Sequence, residues 1–282
     1  MGVTTNGDLL PENRAWLLEG HVTLLILSAA GSGGRHRALR DGAEFDRLMH
    51  DAAELASRAR EKKLRIQLKL SYLLTRSNAP ELPEAVRRAA RAGFHEVFLT
   101  HLDCPTSRHQ QEEAAYEDGR MLPDTGPFLK EAAKAARRGR IAYREPHPGG
   151  EEVLACALNP VHFTFVTWDG RVGPCVNLLL PAAGAIPRYS GPEVSSTDPV
   201  AYGRLQEAPL SRLLQSPERG LFVTPLRKRL EAEERFREGM NLESCDLRVL
   251  RGLEEAQSER EEVLGTHPLP SPCAACPKAS GW

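Results

Sequence analysis

Four of the six cysteines form two pairs that could bind one metal centre. Cys273 and Cys276 form a C-x-x-C pair, a spacing that lets two sulfurs point at the same metal. Cys156 and Cys175 are separated by 18 residues, but the turn signal Asp169-Gly170 lies between them. A β-hairpin at this turn would bring its two ends together, and with them both thiols. The four cysteines therefore predict a four-thiolate site.

Spacing alone leaves three kinds of four-cysteine site open. A structural zinc ion and an iron–sulfur cluster both use four thiolates, and a set of unligated or redox-active thiols is the third alternative. Two cysteines stand outside the pairs. Cys104 follows a predicted strand and is either a site residue or a partly buried thiol. Cys245 lies in a polar helical stretch and is a candidate spare ligand.

The segment that carries the paired cysteines predicts a small α+β domain. The run 161–167, the Asp-Gly turn and Arg171-Val172 predict a hairpin of two short strands. A Pro/Gly/Ser-rich loop is expected over about 181–199, and charged helices over about 205–260. Within those helices, Arg227-Lys228-Arg229 is balanced by nearby glutamates, which predicts a solvated helix face.

The first half of the chain predicts a parallel α/β sheet, because strand and helix patterns alternate. Strands are expected at 22–28, 64–70, 96–102 and 141–143. Helices are expected over about 43–61 and from a cap at Ser77-Asn78 to Gly93, with a mostly helical segment over 105–150. His147-Pro148-Gly149-Gly150 has a linker composition, so the predicted domains are 1–148 and 149–282.

Polar residues follow several of the predicted strands. Ligand groups of a parallel sheet lie at the carboxyl ends of its strands. The residues at those ends are Thr5-Asn6-Gly7, Ser28, Thr75-Arg76 and His101 with Asp103 and Cys104. Each of them is also compatible with an ordinary turn or cap.

Composition narrows the range of functions. The 282 residues carry a formal net charge of −1. The sequence therefore has no overall excess of positive charge that would indicate a nucleic-acid partner. No apolar run reaches the roughly 18 residues that span a bilayer, and the N-terminus lacks a signal-peptide pattern. We therefore expect a cytoplasmic protein without a membrane partner.

The cysteine-rich half resembles the SPASM or twitch domain of radical S-adenosylmethionine (SAM) proteins. In that family a cysteine, a spacer, a glycine and a second cysteine flank a β-hairpin, as Cys156 and Gly170-Arg171-Val172-Gly173-Pro174-Cys175 do here. Tyr202-Gly203-Arg204-Leu205-Gln206-Glu207, followed by Leu210 and Leu213, is similar to a later segment of that domain. The C-x-x-C pair completes the set.

The first half is similar to the same family. Thr5-Asn6-Gly7-Asp8-Leu9-Leu10 resembles the segment that closes the third strand of the radical SAM barrel. Leu27-Ser28-Ala29-Ala30-Gly31 resembles its fourth strand. Arg40-Asp41-Gly42 with Phe45, and Asn78-Ala79-Pro80-Glu81-Leu82, resemble two further patterns. The resemblance implies an incomplete radical SAM-type (β/α) partial barrel followed by a small α+β SPASM/twitch iron–sulfur domain.

The resemblance also implies ligands and partners. It assigns one auxiliary [4Fe–4S] cluster to Cys156, Cys175, Cys273 and Cys276. It places Asn6 and Ser28 at the nucleoside end of the barrel as cofactor-binding residues. The implied partners are a peptide or other bulky substrate and a ferredoxin or flavodoxin as electron donor.

The motif that binds the catalytic cluster in that family, C-x-x-x-C-x-x-C, does not occur in this sequence. The resemblance begins at about the third barrel strand, so SAM is expected as a cofactor only if a preceding segment completes the barrel. The chain would then be a truncated gene product, one part of a split enzyme with a companion chain that carries the motif, or a degenerate relative. We favour the first two, because both halves carry family patterns.

Whether this chain is an enzyme is left open on these grounds, and no catalytic residue is assigned. The alternative function is a non-catalytic zinc- or cluster-binding module that recognises a peptide or a partner protein.

Overall fold

The computed structural model divides the chain into two units. Unit 1 comprises Met1–Leu102 and Arg108–Pro148, and unit 2 comprises Asp103–Ser107 and Gly149–Trp282. The structure describes residues 1–40, 43–102, 104–117, 120–146, 152–181, 184–190, 193–240, 247–274, 276 and 278. The predicted linker 147–150 lies outside these residues, as do Asp41-Gly42. The fold is α/β, with one parallel sheet and several small antiparallel ones.

A five-stranded parallel sheet is the centre of unit 1. The strands of this unit are β1 Gly2–Thr5, β2 Leu24–Ala29, β3 Gln67–Leu73, β4 Glu96–Thr100, β5 Tyr116–Glu117, β6 Arg120–Met121 and β7 Ala142–Arg144. The sheet has the order β1-β2-β3-β4-β7, and every neighbouring pair is parallel. The four predicted strands are confirmed, with ends shifted by a few residues. β5 and β6 form a short hairpin.

The helices of unit 1 connect these strands. They are α1 Leu10–Leu17, α2 Gly34–Leu39, α3 Phe45–Glu61, α4 Leu82–Ala92, α5 Arg108–Glu113 and α6 Gly126–Gly139. Because neighbouring strands follow one another along the chain, right-handed crossovers place the connecting helices on one face of the sheet. β3 shows the consequence: Leu68, Leu70 and Tyr72 are buried, whereas Lys69 and Ser71 are partly exposed. The apolar core therefore lies on the helical face.

A buried polar turn follows β3. The predicted helix cap at Ser77-Asn78 is wrong, because Asn78 makes no side-chain capping bond and a 3-10 turn, Ala79–Glu81, separates it from α4. Its side chain instead accepts a hydrogen bond from the Thr75 N–H at 2.9 Å and donates one to the Leu73 carbonyl at 2.8 Å. Asn78 therefore stabilises the exit of the strand.

Unit 2 contains short strands and long helices. Its strands are β8 Phe165–Val166, β9 Arg171–Gly173, β10 Ile186–Ser190, β11 Glu193–Thr197 and β12 Gly203–Arg204. Its helices are α7 Leu210–Leu213, α8 Pro217–Met240, α9 Leu247–Thr266 and α10 Ser271–Ala274. β8 and β9 form the predicted hairpin, and β12 pairs with the other edge of β9. No helix in the described ranges combines the length and the apolar composition that a bilayer crossing needs.

The predicted loop over 181–199 is wrong in its central part. β10 and β11 pair there as an antiparallel ribbon, from Ile186 opposite Thr197 to Ser190 opposite Glu193. β-Branched and aromatic residues favour the strand in spite of the neighbouring prolines and glycines, and Pro187 is tolerated because each strand has only one partner. The buried Arg188 guanidinium donates to the Asn177 carbonyl and links the ribbon to the segment after β9.

The core of unit 2 is built around α8. The buried apolar side chains that pack together are Val172, Leu178, Tyr202, Leu213, Phe222, Val223 and Leu226. Three of these belong to α8, and Cys175 and Cys273 pack against the same cluster. One helix therefore supports both cysteine-bearing segments.

We expect Asn78→Ala to lower the free energy of unfolding by about 2–4 kcal/mol, because it leaves a buried N–H and a buried carbonyl without partners. Urea denaturation followed by circular dichroism measures this loss. Asn13→Ala is the matched control, since it also removes a side-chain bond to a backbone carbonyl but at an exposed site. The control should change stability by no more than about 0.5 kcal/mol. Equal losses in the two variants would contradict the role given to the buried turn.

Candidate metal centre

Cys156 lies in a tight turn that points backbone N–H groups at its sulfur. The Leu158 N–H donates to the Cys156 Sγ at 3.4 Å, and the Asn159 N–H donates to the Cys156 carbonyl at 2.8 Å. Asn159 adopts a φ of 41°, in the left-handed region that asparagine tolerates better than most residues. The turn thus holds the Cys156 sulfur among hydrogen-bond donors.

Cys175 follows β9 and begins the 3-10 turn Val176–Leu178. The Leu178 N–H donates to the Cys175 carbonyl at 3.4 Å, and the backbone N–H groups of Leu178 and Asn177 lower the pKa of Cys175 against the larger effect of burial. The hairpin that carries Cys175 depends on Gly170, which has a φ of 80°. This positive φ favours glycine, whereas the Gln206 amide that a Cβ would meet at 2.6 Å is the end of a flexible side chain. The Asp-Gly signal in the sequence therefore fixes the strand that presents Cys175.

Cys273 and Cys276 lie on a compact turn at the end of the described chain. The Cys273 N–H donates to the Pro270 carbonyl at 2.7 Å, and the Cys276 N–H donates to the Cys273 carbonyl at 3.0 Å. Cys273 belongs to α10. This turn keeps the two thiols of the C-x-x-C pair close to each other.

Within unit 2, the four predicted ligands lie close enough to interact electrostatically, although no three of their sulfurs lie within 4.8 Å of one another. Burial, together with the neighbouring thiols of Cys276, Cys175 and Cys156, raises the pKa of Cys273 to about 12. Burial likewise raises the pKa of Cys175 to about 11, with contributions from Cys276 and Cys156. The pKa of Cys156 is raised by burial and by Cys276. The four sulfurs are therefore close enough to repel one another when ionised.

This donor set fits a metal centre. Thiolates that are partly buried and mutually repelling are unfavourable alone, whereas a bound cation reverses the balance and deprotonates its thiol ligands. Four thiolates are the ligand set of structural zinc and of iron–sulfur clusters alike. The residues present can hold either group.

The predicted cofactor residues Asn6 and Ser28 belong to unit 1. Ser28 lies in β2 and Asn6 directly follows β1, and the register that pairs Thr5 with Leu27 puts them at the same level of the sheet. Asn6 is exposed, and its amide donates to the Asp8 carboxylate at 2.7 Å. The two residues thus lie at the same end of neighbouring strands, and their cofactor role stays a prediction.

The other strand-end residues have mostly local partners. Arg76 forms an ion pair with Asp124 at 2.7 Å, and the buried Thr75 belongs to the turn around Asn78. The His101 ring packs against Tyr116 with centroids 5.6 Å apart. Cys104 is partly buried. Asp103 and Cys245 lie outside the described residues.

Arg229 is a buried residue that the sequence pattern did not indicate. The prediction of a solvated face for Arg227-Lys228-Arg229 is wrong for Arg229, which is 0% exposed. Its guanidinium donates to the carbonyls of Val153 at 2.7 Å and Leu154 at 3.1 Å, two residues that precede Cys156 in the chain. It also donates to the carbonyl of His267 at 3.0 Å, in the segment that precedes Cys273. Helical spacing from Phe222 and Leu226 was the available signal, because it places Arg229 on the apolar face of α8.

Arg229 therefore joins the two cysteine-bearing segments to α8. The same guanidinium forms an ion pair with Glu152 at 2.6 Å. Its positive charge also lowers the pKa of Cys273, against the larger effects of burial and the other thiols. Arg229 therefore holds the two cysteine-bearing segments by hydrogen bonds and adds a positive charge near the thiols.

A second group of potential metal ligands lies on α3 in unit 1. His50, Asp51 and Glu54 have donor atoms within 4.8 Å of one another. Arg14 already contacts Glu54 at 2.5 Å and Asp51 at 3.9 Å, and Arg47 contacts Asp51 at 3.6 Å. These guanidinium groups neutralise the carboxylates, so the group is an ion-pair network on the helix surface.

No protein-family model and no curated protein matches the chain. Among solved structures, native anSMEcpe with bound AdoMet is similar at 14% identity, covering 94% of this chain and 72% of that chain with a TM-score of 0.48. The same protein with bound AdoMet and Kp18Cys peptide gives 13% identity, coverage of 94% and 73%, and a TM-score of 0.49. Streptococcus suis SuiB bound to S-adenosylmethionine gives 11% identity and a TM-score of 0.49. The chain spans half the length of SuiB, with 79% of its own residues covered.

We expect Arg229→Met to lower the free energy of unfolding of the metal-free protein by about 3 kcal/mol, because three backbone carbonyls lose their donor. Lys228→Met is the matched control, since the neighbouring side chain is exposed and forms only a surface ion pair with Glu231. Thermal denaturation of both variants checks the difference. Equal stability of the two variants would show that the buried guanidinium does not hold the segments.

Proposed function

We propose that this chain is the iron–sulfur-binding part of a radical SAM/SPASM protein, with one auxiliary [4Fe–4S] cluster on Cys156, Cys175, Cys273 and Cys276. The observation that carries the proposal is the gathering of these four thiols from two distant segments. Their pairing through a hairpin and a C-x-x-C turn is the arrangement that the resemblance implies.

The choice of a cluster over zinc rests on the resemblance of both halves of the sequence to one family. Four thiolates serve zinc equally well. The Leu158 N–H that donates to the Cys156 sulfur suits a cluster, because hydrogen bonds to sulfur are one of the means by which proteins tune its reduction potential. A cluster of this kind is best maintained in a reducing cytoplasm.

The proposed role of unit 1 is to contribute the strand ends of a partial radical SAM barrel. Asn6 and Ser28 would line its nucleoside end. Reductive cleavage of SAM needs an iron with an open coordination position, and the C-x-x-x-C-x-x-C ligands of that cluster do not occur in these 282 residues. SAM chemistry thus requires a companion chain or segment that carries the motif, with a peptide or other bulky substrate and a ferredoxin or flavodoxin as electron donor.

Anaerobic reconstitution with iron and sulfide tests the cluster assignment. We expect an absorbance band at about 400 nm, which is typical of thiolate-ligated iron–sulfur clusters. We also expect an iron content of about four atoms per chain. Cys175→Ala and Cys273→Ala should each lose the band, because each removes one of four thiolate ligands.

Cys104→Ala is the control for these variants, since it removes a cysteine outside the proposed set, and it should keep the full iron content. A colourless protein that holds one zinc per chain would overturn the cluster assignment and favour a structural metal-binding module. A cluster retained at full occupancy in Cys175→Ala would overturn the ligand set.

A further inference from the structure

The Tyr202 hydroxyl is a buried polar group that lacks a partner. Tyr202 is 4% exposed, and its hydroxyl has no hydrogen-bond acceptor among the described residues. A buried hydroxyl without a partner costs about 1–3 kcal/mol. Such a group in a well-packed core requires an explanation, and a ligand that supplies an acceptor is one.

The position of Tyr202 points to the cysteine site. Its backbone N–H donates to the Val172 carbonyl at 2.7 Å, which anchors it beside β9 and thus beside the strand that leads to Cys175. Its ring belongs to the apolar cluster against which Cys175 and Cys273 pack. Its hydroxyl interacts electrostatically with both of these thiols, while burial is the main cause that raises the pKa of Tyr202 to about 12. The hydroxyl is therefore a neutral donor next to two of the four proposed ligands.

A second buried donor in the same region also lacks an acceptor. The Asn177 side-chain amide is buried, and its Nδ2 has no partner within the described ranges. Asn177 follows Cys175 by two residues, and its backbone N–H lowers the pKa of Cys175 against the larger effect of burial. Unsatisfied donors around Cys175 indicate that the occupied site offers acceptors, as thiolate and sulfide sulfurs do.

We propose that the Tyr202 hydroxyl donates a hydrogen bond to a sulfur atom of the bound cluster on its Cys175 and Cys273 side. This inference rests on the proposed function of the four cysteines. A hydrogen bond to sulfur stabilises the more negative, reduced form of a cluster, so Tyr202 raises the reduction potential. Tyr202 is thus a positioning and tuning residue for the cluster.

Tyr202→Phe tests the proposal with the removal of a single oxygen atom. The reconstituted variant should keep its cluster but have a more negative reduction potential than wild type, measured by a redox titration followed by optical absorbance. The metal-free variant should be at least as stable as metal-free wild type, because the substitution removes an unsatisfied polar group. A residue with a purely structural role would give the opposite stability change and no potential shift.

Tyr72→Phe is the matched control. It also removes a buried tyrosine hydroxyl, but that hydroxyl donates to the Asn78 carbonyl at 3.0 Å in unit 1. The control should lower thermal stability and leave the reduction potential unchanged. Resonance Raman spectra of the wild type should also show Fe–S frequencies that shift in D2O, and this shift should be smaller in Tyr202→Phe.

Two results would overturn the inference: a reduction potential equal to that of wild type, or an undiminished D2O shift in Tyr202→Phe. If the variant does not retain a cluster, Co²⁺ bound by the four thiolates replaces it as the probe. The sulfur-to-cobalt charge-transfer band should then lie at lower energy in Tyr202→Phe than in wild type, and identical bands would overturn the proposal. A wild-type protein that binds no cluster would instead disprove the proposed function, which is a distinguishable outcome.

Discussion

Unit 2 depends on a single electrostatic constraint: four sulfur atoms must occupy one partly buried place. Burial and mutual repulsion raise the pKa values of Cys175, Cys273 and Cys156, so the unliganded site favours neutral thiols. The surroundings favour the opposite state. The Leu158 N–H donates to the Cys156 sulfur, and the cations Lys278 and Arg229 lower the pKa values of Cys156 and Cys273, respectively. Surroundings rich in donors and positive charge fit an anionic centre and poorly fit four neutral thiols.

The same constraint explains how this part of the chain is held together. Among the described residues, three of the seven side chains in this apolar cluster of unit 2 come from α8. Metal binding commonly contributes to folding, because a preformed ligand set rarely exists in the unfolded chain. Here Arg229 attaches the segments before Cys156 and Cys273 to α8, and Tyr202 attaches the adjoining strand to β9. A metal bound by the four cysteines would cross-link the same segments. Metal binding and folding are therefore expected to be coupled.

Sequence patterns predicted the features that depend on local periodicity. The parallel strands and the Asp-Gly hairpin could be predicted because alternation, apolar runs and turn residues are visible within short stretches of the sequence. The β10–β11 ribbon could not, since tertiary pairing overrides the composition of a Pro/Gly/Ser-rich stretch. The roles of Asn78 and Arg229 could not be predicted for a related reason. The partners of these buried polar side chains are backbone groups, which neither composition nor a count of charges identifies. The hairpin predicted that Cys156 and Cys175 are neighbours, the four-cysteine ligand set stays a prediction, and the electrostatic surroundings of these cysteines required coordinates. The role of Asn6 and Ser28 still rests on resemblance.

The sheet of unit 1 places a further limit on function. Parallel sheets normally pack apolar layers on both faces. The face away from the helices instead carries Glu96 between two cations, with Lys69 at 2.5 Å and Arg144 at 3.2 Å. The register places Ser28 on this same face, since it is level with Ser71 two residues beyond Lys69. Covering these charges with an apolar layer would cost several kcal/mol for each unpaired group. The face therefore suits water or a polar ligand, and this is the chemical character that a nucleoside-binding role for Asn6 and Ser28 requires.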